Sequence, residues 1–205
     1  MRSHVHWATT TIDSDTLVAR LRRPNDQDAW RRVDERYGPM LLAFARRMGL
    51  DHERSRDLRQ EAMMALVKAI RAGRFDRARG RLRDLLFTIA RNRIVDMHTR
   101  RSRDPVPVGA LPDQEELLAS IPAEDRFAEA WDAEWRVAIA AQCLREAQVK
   151  FKPLTYMAFY LKAIEGLPSA EVADRLGKNV NTVDISSHKV RSFLRDIRPV
   201  IEELF

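Results

Sequence analysis

The stretch that most constrains the fold of this 205-residue chain runs from Asp104 to Glu134, where prolines and acidic residues are concentrated. It contains four prolines and Gly109, and one Arg stands against nine acidic residues, a net charge of −8. Proline removes a backbone donor and like charges repel each other, so such a segment favours extended chain over a packed element. A short helix is expected only around Gln114–Ser120. The sequence therefore predicts two domains, residues 1–103 and 135–205, joined by a flexible acidic linker at 104–134.

The two blocks on either side of this linker carry the opposite charge. Residues 1–103 hold 24 Lys and Arg against 13 Asp and Glu, a net charge of +11, and residues 135–205 have a net charge of +3. Two basic blocks favour a polyanionic partner that is contacted at two places. A membrane surface would attract the same charge, but it would not explain the motifs described below.

Other features of the composition point to a cytoplasmic protein. No apolar run is long enough to span a bilayer, and the first residues lack the apolar segment of a secretory signal. Cys143 is the only cysteine, which excludes an internal disulfide and fits a reducing compartment.

Apolar residues at three- and four-residue spacing predict a helical N-terminal domain. A short helix should end at Pro24 and Asn25, a second should run from near Asp26 to Gly49, and a third should end at Gly73. The outward stripe of the third helix consists of Asp57, Gln60, Glu61 and Met64. An acidic patch repels DNA, so if this stripe binds a partner, that partner should be a basic protein surface. The alternative is a solvated helix face.

A basic loop and the helix after it favour contact with an unpaired nucleic-acid strand. The loop carries cationic residues and one aromatic residue: Arg74, Phe75, Arg77, Arg79 and Arg81. The helix over residues 82–103 has one apolar face, and its other face carries Phe87, Thr88, Arg91 and Asn92. An exposed aromatic ring beside Arg and Asn can stack on bases while the cations pair with phosphates. A solvated amphipathic helix explains the helix alone equally well.

The C-terminal block predicts a helix-turn-helix. Ser169 is a candidate N-cap, Gly177 ends the first helix, and Asn179 is a candidate cap for the second. The outward face of the second helix would enter a major groove; it consists of Asn181, Thr182, Ile185, Ser186 and Lys189. Packing helices without a DNA-binding role are the alternative.

The sequence contains no motif for catalysis or for a cofactor. It has no phosphate-binding glycine loop, no metal-ligand spacing and no nucleophile elbow. We therefore expect a protein without enzymatic activity, metal or cofactor.

Three segments, in this order, resemble bacterial RNA polymerase sigma factors of the extracytoplasmic-function class. DLRQE (Asp57–Glu61) resembles the DLVQE motif of that family. GRLRDLLFTIARNRIVD (Gly80–Asp96) resembles GSFRAWLLTIARNLALD, and GLPSAEVADRLGKNVNTV (Gly166–Val183) resembles GLSYEEIAEALGLSVGTV. The resemblance covers residues from about Thr16 to Leu194 apart from the linker.

The resemblance implies an all-α protein with two helical domains that serves as a promoter-specificity subunit. The helix that begins at DLRQE would dock on the clamp helices of the largest polymerase subunit. The loop and helix after it would recognise and help melt the minus-ten promoter element. The helix-turn-helix would read the minus-thirty-five element as duplex and contact the flap of the second-largest subunit. Whether an anti-sigma factor also binds stays open.

Two alternatives and one departure accompany this prediction. A one-component transcription factor would use the helix-turn-helix on duplex DNA as a dimer, but it would have no use for DLRQE or for a single-strand face. An adaptor that only holds a partner protein would not explain the basic loop. Asp184 stands where the family usually has Lys, so it either weakens the duplex contact or accepts a hydrogen bond from a cytosine amino group.

Overall fold

Eight α-helices account for most of the described residues, which are 14–23, 26–76, 78, 80–101 and 124–204 of a computed structural model. The helices are α1 (Ser14–Leu21), α2 (Gln27–Arg47), α3 (His52–Arg71), α4 (Leu82–Arg101), α5 (Glu124–Lys150), α6 (Pro153–Ala163), α7 (Ser169–Leu176) and α8 (Val180–Leu204). The described residues contain no strand, which confirms the all-α prediction. None of these helices is both long and apolar enough to cross a bilayer.

The chain divides into two compact units, residues 1–138 and 139–204. The division falls inside α5, which contributes its first half to unit 1 and its second half to unit 2. Each unit is described separately below.

Local signals place the boundaries of the helices in unit 1. Asp26 caps α2, because its carboxylate accepts a hydrogen bond from the Ala29 amide at 2.9 Å, and Asp51 caps α3 by accepting from the Arg54 amide at 2.8 Å. Gly49 (φ 85°) and Gly73 (φ 68°) follow α2 and α3 in the left-handed conformation that glycine adopts without steric cost. The predicted ends of these helices are therefore confirmed.

The core of unit 1 lies among α1 to α4, with help from the first half of α5. The largest side chains that are completely enclosed include Leu17, Tyr37, Leu41, Phe44, Leu58, Leu66, Leu86, Ile94 and Phe127. Tyr37, Leu41 and Phe44 are four and three residues apart, and the pairs in α3 and α4 are eight apart, so in each of these helices they share one face, the pattern that predicted a packed domain.

Unit 2 has a small core in which α7 and the start of α8 pack on α6. Its centre is formed by Ala158, Val172, Ala173 and Val183. Gly177 ends α7 in the left-handed conformation (φ 60°), as predicted. The Asn179 side chain then accepts a hydrogen bond from the Thr182 amide at 2.7 Å, so the predicted cap at the start of α8 is confirmed.

Two predictions about local structure are wrong. Residues 124–134, expected to be extended linker, belong to α5, because an apolar stripe at Phe127, Trp131 and Trp135 outweighs the acidic composition. The preceding part of the predicted linker, residues 104–123, lies outside the described residues. The N-cap of α7 is Pro168 rather than Ser169, because the Ser169 hydroxyl donates instead to Asp184 Oδ1 at 2.8 Å.

Candidate nucleic-acid and protein interfaces

The acidic stripe of α3 is largely accessible. Asp57 and Gln60 are exposed, and Met64 keeps 48% of its surface exposed. Glu61 points differently from the other three, since its carboxylate lies 3.7 Å from the Arg93 guanidinium of α4. Three of the four predicted residues therefore share an open face, and Glu61 also links α3 to α4.

A groove of about 500 Å³ continues this surface toward α2. Residues of both helices line it, among them Gln27, Trp30, Asp34, Arg59, Gln60, Met63 and Met64. Arg59 and Asp34 form an ion pair across the two helices, with Arg59 Nε 2.9 Å from Asp34 Oδ1. This pair lies against Gly38, where an added Cβ would come within 2.8 Å of Arg59 Nε. The absence of a side chain at Gly38 therefore leaves the space that this ion pair occupies.

The basic loop before α4 presents two of its predicted contacts to solvent. Arg74 and Arg81 are exposed, whereas the side chains of Arg77 and Arg79 lie outside the described residues. Phe75 is only 8% exposed, and Arg22 donates to its carbonyl oxygen at 3.5 Å. The ring of Phe75 therefore belongs to the core in this structure and is not open to a base, and its predicted contact with DNA stays a prediction.

Two of the four residues predicted on the outward face of α4 are open. Thr88 and Asn92 are exposed, and the Thr88 hydroxyl donates to the Asp84 carbonyl of its own helix at 3.0 Å. Phe87 and Arg91 are partly buried, since both lie against the first half of α5. The expectation of an exposed aromatic ring at Phe87 is wrong, because Trp131 of α5 covers part of the ring.

Residues 124–138 of α5, here called the cover segment, pack along one line of α4. This line consists of Arg83, Phe87 and Arg91, which are four residues apart and so share a face. The ring centroids of Phe87 and Trp131 are 5.5 Å apart, and Phe44 of α2 lies 5.0 Å from Trp131. At these separations aromatic pairs attract each other beyond the effect of buried area.

Ion pairs flank the aromatic contacts of the cover segment at both ends. Arg91 pairs with Glu124, and Arg83 pairs with Asp132. Each guanidinium also lies over a ring of the segment: Arg91 Cζ is 5.8 Å from the Phe127 centroid, and Arg83 Cζ is 4.6 Å from the Trp135 centroid.

A third ion pair attaches the cover segment to α2. Arg47 Nε donates to Glu134 Oε1 at 2.7 Å, and Glu134 is almost fully buried. Sequence reasoning missed the whole contact. The four-residue spacing of Phe127, Trp131 and Trp135 could have predicted a helix with one apolar face. The many acidic residues and prolines nearby instead favoured the prediction of a linker.

The predicted groove face of α8 is open. Asn181, Thr182 and Lys189 are exposed, Ser186 is half-buried, and Ile185 keeps 46% of its surface exposed. Four polar side chains and the apolar Ile185 thus lie on one side of a helix whose other side carries the buried Val183 and Val190.

Asp184 has an intramolecular role that the sequence did not predict. Its carboxylate pairs with Lys162 of α6 and accepts a hydrogen bond from Ser169 of α7 at 2.8 Å. The hydrogen bond from Lys162, followed by the one from Ser169, holds the pKa of Asp184 below its usual value. Asp184 therefore joins α6, α7 and α8 near the start of α8.

Within the described ranges, no three His, Cys, Asp or Glu side chains are grouped to hold a metal ion. The accessible surfaces are instead an acidic stripe, exposed arginines and one polar helix face. A helical protein with such surfaces belongs to the class that binds macromolecules, both protein and nucleic acid.

Comparison with known families identifies this class more closely. Residues 33–104, which comprise most of α2, all of α3 and α4 and the loop before α4, match the family Sigma-70 region 2. This match, over about a third of the chain, supports a sigma factor of the sigma-70 family. Region 2 is a DNA-binding regulatory domain rather than a catalytic one, and its role is recognition of the minus-ten promoter element. Sigma factors bind core RNA polymerase and promoter DNA. No curated protein matches the chain.

Proposed function

We propose that this protein is a promoter-specificity subunit of the extracytoplasmic-function class that acts in the cytoplasm. Its N-terminal unit recognises and melts the minus-ten element, and its C-terminal helix-turn-helix reads the minus-thirty-five element. The observation that carries the proposal is the Sigma-70 region 2 match over residues 33–104, because that match covers both the acidic stripe and the predicted single-strand face.

Docking on polymerase is assigned to the acidic stripe of α3. Asp57, Gln60 and Met64 are accessible together, and the groove next to them adds the apolar surface of Trp30 and Met63. A charged rim around an exposed apolar centre is the composition of a protein interface rather than of a DNA-binding face. The clamp helices of the largest subunit are the partner that the motif DLRQE favours, and the flap of the second-largest subunit is assigned to the C-terminal unit.

Single-strand contact is assigned to the loop before α4 and to the outward face of α4. Arg74 and Arg81 supply exposed cations, and Thr88 and Asn92 supply exposed polar groups on the same helix. Phe87 and Arg91 complete this face once the cover segment has left it. Arg77 and Arg79 remain predicted contacts in the same loop.

Duplex contact is assigned to α8. The proposed contacts are four polar side chains and one apolar side chain on an open helix face, which suits insertion into a major groove: Asn181, Thr182, Ile185, Ser186 and Lys189. Asp184 belongs to the base of this helix, so we withdraw it as a reader of bases.

The direct test is a pull-down with core polymerase followed by run-off transcription on genomic fragments. Binding to core and discrete transcripts would support the sigma assignment. Binding to palindromic duplex DNA without any association with core would instead favour a helix-turn-helix transcription factor.

A charge reversal tests the docking surface specifically. Asp57→Lys should weaken association with core by about tenfold or more, because like charges opposed across an interface cost several kcal/mol. The matched control is Glu35→Lys, an equal change of charge at an exposed position of α2 that does not line the groove. Glu61→Lys is a poorer choice, since it would also place Lys beside Arg93. Equal binding by both variants would remove the docking role.

A further inference from the structure

The cover segment presents to α4 the same chemical groups that a nucleic-acid strand would. Carboxylates of Glu124 and Asp132 occupy the guanidinium groups of Arg91 and Arg83. Guanidinium binds carboxylate and phosphate with the same planar donor geometry, so an anion of either kind fits these positions.

The aromatic rings of the cover segment lie where the bases of a bound strand would stack, as its carboxylates lie where phosphates would bind. Trp131 packs on Phe87 with ring centroids 5.5 Å apart, and Phe127 lies beneath the guanidinium of Arg91. A base stacked on Phe87 or on Arg91 would need the space that these two rings fill.

The burial of both rings shows that they occupy this space fully. Phe127 is 1% exposed and Trp131 is 2% exposed, so a base stacked on the side of Phe87 that faces Trp131 would have to displace that ring. The indole Nε1 of Trp131 has no hydrogen-bond acceptor among the described residues, which is a cost of this buried position.

We propose that residues 124–138 are an intramolecular occupant of the α4 face, bound in place of a DNA strand, and that the segment and the strand exclude each other. This inference rests on the proposed function, because it takes the outward face of α4 as the single-strand site. The free protein is then held in a closed form, and a strand binds only the fraction of molecules whose cover segment has left α4. Its apparent affinity is reduced by that fraction.

The ionic contacts offer a way to open the cover without removing its buried rings. Glu124 and Asp132 have side chains that are 61% and 53% exposed, so neutralising them should leave the fold intact. The double variant Glu124→Gln, Asp132→Asn loses two ion pairs to α4. The matched control is Asp125→Asn, Glu129→Gln, which removes the same charge from exposed positions of the same segment that form no ion pair within the described residues.

The experiment measures binding of the full chain to a fluorescent pool of random single-stranded DNA about 12 nucleotides long, by anisotropy at low salt. The opened variant should bind about threefold to tenfold more tightly than wild type, since two partly exposed ion pairs contribute modestly to the closed form. The control variant should show only the small gain that follows from its equal loss of negative charge. Equal affinities of the opened variant and the control would overturn the proposal.

Amide hydrogen exchange provides a second readout on the wild-type chain. Exchange over residues 124–138 should rise when the oligonucleotide pool is present at saturation, because the segment loses its packing on α4. Unchanged or slower exchange there would also overturn the inference.

A third variant separates failure of the cover from failure of the proposed single-strand site. Thr88→Ala, Asn92→Ala removes two exposed polar groups of the α4 face whose hydrogen bonds, among the described residues, are within α4: Thr88 donates to Asp84, and Asn92 accepts from Arg91 at 3.3 Å. If this variant weakens strand binding while the opened variant equals its control, the single-strand site stands and the cover is refuted. If it leaves strand binding unchanged, the assignment of the site to α4 is itself refuted.

Discussion

The two surfaces assigned to DNA differ in their accessibility to solvent in the free chain. The face of α4 is occupied by the protein's own acids and rings, whereas the face of α8 is open to solvent. The difference follows from their chemistry. An unpaired strand is bound by aromatic rings, which bury readily in a core, and by cations, which can be covered when carboxylates pair with them, as Glu124 and Asp132 do here. A duplex is read mainly by polar side chains, which water solvates well. A single-strand site is therefore easily closed by a neighbouring helix, and a groove-reading face is not.

The largest expected effect concerns stability and tests whether the cover rings are part of a core. Trp131→Ala should destabilise unit 1 by about 3–5 kcal/mol, the usual cost of truncating a large buried aromatic side chain. Ile185→Ala on the open face of α8 should change stability by no more than about 0.5 kcal/mol. Chemical denaturation followed by circular dichroism measures both values. A comparable small effect at the two positions would mean that the α4 face is as open in solution as the α8 face.

The next effect concerns affinity and tests the open face. Lys189→Ala should weaken binding to duplex DNA of any sequence and lower the slope of log affinity against log salt by about 0.9, because one phosphate contact is lost. The control is Arg195→Ala, an exposed cation six residues further along α8 and on a different side of the helix. If the two variants give the same salt slope, Lys189 does not meet a phosphate.

The sequence predicted those features that depend on neighbouring residues. Helix boundaries followed from Asp26, Gly49, Gly73 and Gly177, each of which acts through a contact or a backbone angle within a few residues. The open faces of α3 and α8 followed from periodicity alone.

The features that the sequence did not predict all depend on distant contacts. From the sequence, Phe87 and Arg91 were predicted to be exposed. In the structure they are covered by a helix more than 30 residues later in the chain, and Arg91 and Glu124 are 33 residues apart. Lys162 and Asp184 are 22 residues apart. The sequence therefore showed that Asp184 stands where Lys is usual, but it did not show that Lys162 is its partner. Composition worked against the prediction at residues 124–134, where acidic residues that pair with α4 looked like those of a solvated linker.

A smaller effect on stability is expected when the pH is lowered. It concerns carboxylates that join helices, first Asp26 in unit 1 and then Asp184 in unit 2. Asp26 lies between α1 and α2, where a hydrogen bond from Arg20, followed by one from the Ala29 amide, lowers its pKa to about 2. A carboxyl group with a lowered pKa stabilises the fold above its unfolded pKa, and this contribution is lost as the pH falls through the folded pKa. Wild type should therefore be more stable than Asp26→Asn at pH 7, and the difference should shrink between about pH 4 and pH 2. Thermal melting across this range measures it, and a difference that persists at pH 2 would contradict the ionic origin.

The smallest expected effect concerns Asp184. It tests whether the position of the open face of α8 depends on the contacts of Asp184 with α6 and α7. Asp184→Asn keeps an acceptor for the Ser169 hydroxyl but removes the ion pair with Lys162, so unit 2 should lose a little stability. The sign of the pH dependence is the same as for Asp26: the pKa of Asp184 is lowered by Lys162 and Ser169, so its contribution is present above its unfolded pKa and disappears in acid. Asp184→Lys removes the acceptor as well and places two ammonium groups together, so it should be less stable than Asp184→Asn at neutral pH. The measurements are melting curves at pH 7 and near pH 2, together with duplex binding at constant salt. If Asp184→Lys binds a specific promoter duplex as tightly as wild type and melts at the same temperature, the contacts of Asp184 with α6 and α7 do not hold α8 in position.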